Sequence, residues 1–147
     1  MLNTLDTLTA RIAREFEGTI RFSVGDSHCL TFAEAAGSIA AAERLSADWE
    51  AESRREGFDC PIKIALHRGR ICAFRSFLYG EGLLIAGRVQ AASVQVLADR
   101  EGGVFLTNSV HDDLVTTPWQ SRLQPVAVEL RGGDYSRIKV YRLAGSA

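Results

Sequence analysis

Residues 61–100, Pro61-IKIALHRGRICAFRSFLYGEGLLIAGRVQAASVQVLAD-Arg100, decide how the rest of the chain is read. Two apolar runs, Ile62–Leu66 and Ile71–Phe77, flank the polar His67-Arg68-Gly69-Arg70, which predicts a β-hairpin or two adjacent core strands. After Tyr79-Gly80-Glu81-Gly82 the period changes. Leu83, Ala86, Val89, Val94 and Leu97 recur at helical spacing, and Arg88 is the one cation on that largely apolar helix. The expected order is strand, strand, glycine junction, helix.

Working outward toward the N-terminus, Leu2, Leu5, Leu8, Ile12 and Phe16 mark a helix with one buried stripe, and Gly18 stands where a left-handed stop forms easily. Gly25-Asp26 between the β-prone runs 19–24 and 27–32 is a hairpin signature, with Ile20, Phe22 and Val24 expected on a buried face. By spacing alone Asp26 is a turn former. Ile39, Ala42, Leu45 and Trp49 outline a second helix from Ala33 to about Arg55, ended by Gly57; Gly37 suggests close packing on a sheet.

Toward the C-terminus the pattern gives a strand at Val104–Leu106, a short helix capped by Thr107 or Asn108, and a loop over 115–122. Two final strands follow, Leu123–Leu130 and Arg137–Leu143, joined by Arg131-Gly132-Gly133-Asp134. Two hairpins rule against an all-parallel sheet, so the expectation is one α+β domain over residues 1–147, its helices packed on a mainly antiparallel sheet.

The 147 residues suffice for a core without staples. A formal net charge of −1 removes the phosphate-neutralising argument for nucleic acid. Cys29, Cys60 and Cys72 lack zinc spacing and read as reduced thiols, Cys72 as a small core residue. No apolar run approaches the roughly 20 residues that span a bilayer. The expectation is therefore a cytoplasmic protein without nucleic-acid or membrane partners. His28, His67 and His111 have no nucleophile or carboxylate beside them by local spacing and read as structural or exposed.

Four strings, in order, carry a resemblance over nearly the whole chain to the catalytic domain of class III adenylate and guanylate cyclases. Phe22-Ser23-Val24-Gly25-Asp26 is similar to the family's Lys-x-Ile-Gly-Asp hairpin, and residues 62–69, IKIALHRG, to its Arg-Ile-Gly-Ile-His-x-Gly strand. Residues 80–89, GEGLLIAGRV, are similar to Gly-Asp-x-Val-Asn-x-Ala-Ala-Arg-Leu, and KVYRL at 139–143 to the closing Val-x-Val-Tyr-x-Leu strand.

The resemblance implies a ferredoxin-like cyclase-homology sandwich lacking the family's first strand and helix. It also implies a head-to-tail dimer with sites at the subunit interface, either a homodimer or a heterodimer with another cyclase-like chain. Asp26 falls on a metal-binding Asp and Arg88 on the Arg that stabilises charge at the α-phosphate. Elsewhere the pattern is broken. Phe22 stands at the purine-reading Lys, Phe77 at its carboxylate partner, Leu84 at the ribose-orienting Asn, and Arg131 is the candidate for the phosphate-binding Lys.

Losing one charge-stabilising group at such a site costs about 3 kcal/mol, and a lone carboxylate holds two hard cations poorly. The expectation is a degenerate, inactive cyclase-like protein acting as a dimeric regulatory or interaction module in signalling, with no cofactor. The alternative is an active or partner-complemented cyclase that takes ATP or GTP to the cyclic nucleotide and pyrophosphate with Mg or Mn. Apolar substitution at Phe22, Phe77 and Leu84 further predicts a groove filled or lined by hydrophobic surface.

Overall fold

In the computed structural model, which describes residues 1–145, the N-terminal stripe becomes α1, Leu2–Glu15. It buries Leu5, Leu8 and Ile12 as expected, together with Thr9 and Ala13, while Leu2 is exposed. The helix stop differs from the sequence reading. Glu17 takes the left-handed conformation at φ 58°, and the Gly18 amide donates to Ala13 O at 2.8 Å. Gly18 is required for space instead, because a Cβ there would stand 2.5 Å from the Phe32 ring.

β1 (Thr19–Val24) and β2 (Ser27–Thr31) form an antiparallel hairpin turned by Gly25 at φ 59°. The expected buried face of β1 is absent, since all six of its residues are exposed. Two causes are visible. The hairpin is a two-stranded sheet of its own, and a register shift between Ile20 and Phe22 makes Arg21 an extra residue that breaks the alternation.

α2 (Ala35–Glu56) ends at Gly57, φ 76°, as the sequence predicts. Trp49 packs with Leu5 and Leu8, edged by Leu45, Phe58, Cys60 and Ile62, and its indole N–H donates to Cys60 O at 2.7 Å. Gly37 faces Phe16 O of the α1 terminus at 3.9 Å and not a sheet.

These elements make up one compact unit, Met1–Ile62; a second begins at Lys63. In the second unit β3 (Lys63–Leu66), β6 (Gly103–Thr107), β8 (Val140–Leu143) and β7 (Leu123–Val126) form a sheet in the order β3-β6-β8-β7. β3 pairs with β6 in parallel; the remaining pairs are antiparallel. The α+β, mainly antiparallel expectation is met.

The central hairpin is not. The run 71–77 does not pair with β3 but folds on itself as β4 (Cys72–Phe74) and β5 (Phe77–Tyr79) around Arg75, φ 55°. Periodicity gives strand identity, whereas partner choice depends on non-local pairing.

α3 (Glu81–Ala92) continues into a 3-10 turn, Ser93–Gln95. Its buried face is Gly82, Ile85, Val89 and Ala92, rotated from the predicted Leu83, Ala86 and Val94, and Val94 is exposed. Ile85 and Val89 meet Phe105 and Val140 in the core, where each fully buried side chain contributes about 1.5–3 kcal/mol.

α4 (Asn108–Asp113) follows β6, with Thr107 at the cap position but making no side-chain cap bond; Pro118–Arg122 is a 3-10 turn. The final strands are shorter than predicted. Val128, Leu130 and Ile138 pack on the core from outside the ladder, so apolar spacing there signals burial without pairing.

Candidate functional site

The residues singled out by sequence fall into both units. Asp26 is exposed at the β1–β2 turn and Phe22 lies on β1 of the first unit. Phe77 on β5, Leu84 and Arg88 one turn apart on α3, and Arg131 in the loop before β8 belong to the second.

Two glycines set the β5–α3 junction. The Gly82 amide donates to Arg70 O at 2.9 Å, and a Cβ on Gly80, φ 136°, would stand 2.6 Å from that same oxygen. The chain thus closes onto the segment before β4 too tightly for any side chain, and this fixes where α3 starts and where Leu84 and Arg88 project.

The Arg88 guanidinium lies against Gly132, where an added Cβ would meet Nη2 at 2.8 Å; Gly132 also has φ 92°. The structure therefore brings Arg88 onto the very turn that carries Arg131. Arg88 Nε is buried without a hydrogen-bond partner among the described residues. Glu81, at the start of the same helix, meets Arg137 at 3.4 Å.

Phe22, Phe77 and Leu84 are 38%, 70% and 48% exposed. Each is open to solvent in its own unit. None offers a hydrogen-bonding group to a purine or ribose.

A two-ion centre does not fit this donor set. Among the described residues no cluster of three or more His, Cys, Asp or Glu side chains could hold a metal, and hard divalent cations need several oxygen ligands. No ion-assisted step is derived from Asp26.

The histidines show what local spacing missed. His28 Nδ1 shares a hydrogen bond with Ser23 Oγ at 2.7 Å, and its Nε2 is 3.2 Å from Asp6 Oδ1, too poorly aligned for a hydrogen bond. A hydroxyl and a carboxylate do flank this ring, contrary to the sequence reading. Ser23 opposes His28 in the hairpin register, a signal readable from the two-residue turn; Asp6 on α1 is not.

His67 Nδ1 meets Thr107 Oγ1 at 2.6 Å, and Thr107 Oγ1 lies 3.1 Å from Ser109 Oγ, tying the end of β3 to the start of α4. Burial pushes the His67 pKa below its usual value, so the ring is neutral at pH 7. His111 stacks on Tyr141 with centroids 4.1 Å apart. His111 Nδ1 also lies 3.3 Å from Asp112 Oδ1, so a carboxylate flanks this ring too, contrary to the sequence reading. Cys72 is exposed on β4, not a core residue, because β4 lies outside the four-stranded sheet.

No protein-family model and no curated protein matches the chain. Solved structures do match. An adenylate/guanylate cyclase/hydrolase from Silicibacter pomeroyi is 19% identical with TM-score 0.67, covering 95% of this chain and 80% of that one. An adenylyl cyclase from P. aeruginosa is 16% identical with TM-score 0.65, covering 99% and 81%. A bacterial light-regulated adenylyl cyclase is 16% identical with TM-score 0.71, covering 97% of this chain and 42% of its own length. This chain has the fold of adenylate and guanylate cyclase domains.

Proposed function

We propose that the protein is a non-catalytic member of the cyclase-homology class, a single domain over residues 1–147 that works as a homodimeric regulatory or interaction module in signalling. The observation that carries this reading is the character of Phe22, Phe77 and Leu84: apolar and open to solvent at the three positions that the resemblance assigns to base and ribose recognition. Surface of that kind suits a protein contact and leaves a nucleotide's polar edge unsatisfied.

Charge supports self-association. Residues 1–62 carry eleven acidic and six basic side chains, residues 63–147 seven and eleven, so the two units have opposite sign. A heterodimer with another cyclase-like chain would use the same surfaces. We assign the protein to the cytoplasm, where the free Cys29, Cys60 and Cys72 stay reduced, and we assign it no cofactor and no nucleic-acid partner. No helix among the described residues is long and apolar enough to cross a membrane.

The test is a sensitive cyclase assay with ATP or GTP and manganese, run beside light scattering. No cyclic nucleotide and a dimer are expected. Cyclic product that disappears in Arg88→Ala overturns the non-catalytic reading in favour of an active cyclase, and a monomer at micromolar concentration removes the homodimer.

A further inference from the structure

Three polar side chains of the first unit meet at the β1–β2 hairpin. Ser23 and His28 stand opposite each other in its register, and Ser23 Oγ lies 2.7 Å from His28 Nδ1. On the other side of the ring, Nε2 is 3.2 Å from Asp6 Oδ1 of α1. The imidazole is packed in, its side chain only 9% exposed, whereas Ser23 is open to solvent. Phe22 and Val24 alternate onto the opposite face of the strand, so a protein contact made through Phe22 leaves the Ser23 hydroxyl accessible.

Charge sets the roles of the three groups. The Asp6 carboxylate, though poorly aligned for a hydrogen bond, favours the ring proton on Nε2, and the lone pair of Nδ1 then faces the Ser23 hydroxyl. A hydroxyl held by an imidazole that is itself oriented by a third group has the arrangement of an activated nucleophile. The hairpin also supplies a donor. Its two-residue turn makes Val24 and Ser27 the hydrogen-bonded pair, so the Ser23 amide points away from β2, where no third strand takes it. That N–H is available to an oxygen that gains negative charge beside Oγ.

We propose that Ser23 is an acyl-acceptor site, its hydroxyl taking an acyl group from a neutral activated ester or thioester, with His28 as general base and Asp6 as the positioning residue. Oγ bonds to the carbonyl carbon as its proton passes to His28 Nδ1. The bond from that carbon to the leaving oxygen or sulfur then breaks, and the leaving group departs with the proton from Nδ1. A neutral carbonyl donor suits the site better than a phosphoryl donor, because the Asp6 carboxylate repels an anion. Cys29 does not compete: it pairs with Phe22 on the other face, and burial pushes its thiol pKa up, away from the reactive thiolate. The inference goes beyond the interaction-module reading and does not require it, since acylation here marks the domain covalently without turnover.

The probe is p-nitrophenyl acetate, incubated with the full chain and followed by peptide mapping, with acetylation of the exposed Lys139 amine as internal reference. Ser23 is expected to gain its acetyl group at least about ten-fold faster than any other exposed serine, and His28→Gln to remove that advantage. Asp6→Asn should slow the labelling of Ser23 about five-fold, the effect of a partly screened charge, and Asp6→Glu should restore it. Asp6 is 60% exposed, so its variants keep the test open even where His28→Gln disturbs packing. Unchanged Lys139 labelling and far-UV circular dichroism separate lost reactivity from lost fold. Ser23 labelled no faster than other serines overturns the proposal, and so does an advantage that survives His28→Gln. An Asp6→Asn variant that labels like the parent overturns the assignment of roles. A monomeric chain that still acylates Ser23 would sink only the homodimer.

Discussion

Substituting Gly80 by Ala tests whether the β5–α3 junction is as closed as the structure has it. The residue sits at φ 136°, and the added methyl would lie 2.6 Å from Arg70 O and 3.1 Å from Ile71 Cα. Both neighbours are backbone, and Arg70 O is already held by the Gly82 amide at 2.9 Å, so no flexible side chain can swing away. A non-glycine residue held in so sparse a region costs about 1–3 kcal/mol, and relieving the overlap breaks or lengthens a hydrogen bond worth about 1 kcal/mol. The expected loss is about 3 kcal/mol, a drop of roughly 6–12 °C in Tm for a domain of this size.

Gly87→Ala is the internal control. Gly87 lies mid-way along α3 with nothing within 4 Å of an added Cβ, so Ala there stabilises by about 0.5–1 kcal/mol through helix propensity. Urea titration of both variants reads the two signs directly. If Gly80→Ala is neutral or shifts the midpoint upward as Gly87→Ala does, the tight junction is wrong, and with it the account of how Leu84 and Arg88 are aimed.

Further outcomes follow from other sites. Because burial holds the folded His67 pKa below its unfolded value of 6.5, the native state binds fewer protons than the unfolded chain. Its contribution is therefore intact above about pH 6.5 and lost as pH falls through the folded pKa; His67→Gln should flatten the acid limb of a stability-versus-pH curve, and an unaltered limb would remove the assignment. Phe105→Ala, at a fully buried core position, should cost about 3–5 kcal/mol by denaturant titration. Trp49→Phe keeps the ring but strands Cys60 O, for an expected loss of about 1–2 kcal/mol. Asp26→Asn, at an exposed turn, should change stability by less than about 0.5 kcal/mol; a larger effect would reveal a role that the turn does not show.

Local chemistry made much of this protein legible in its sequence. The α1 stripe, the Gly25-Asp26 hairpin, the Gly57 stop and the glycine junction before α3 each depend on residues within a few positions of one another, and each stands where spacing puts it. Asp26 and Arg88 could be picked out in the same way, because they sit inside short strings with a recognisable order.

What tertiary structure alone decided involves partners far apart in the chain. β3 pairs in parallel with β6, some forty residues on, and not with the run that follows it. The buried face of α3 is rotated because Phe105 and Val140 choose which residues of that helix are covered. Phe22, Phe77 and Leu84 are open because burial depends on what stacks above a strand or helix, which a period of two or 3.6 cannot report. Arg88 rests on Gly132, and Asp6 comes beside His28, for the same reason: alternation and helical period encode which side of an element a residue occupies, while only the folded chain determines what that side meets.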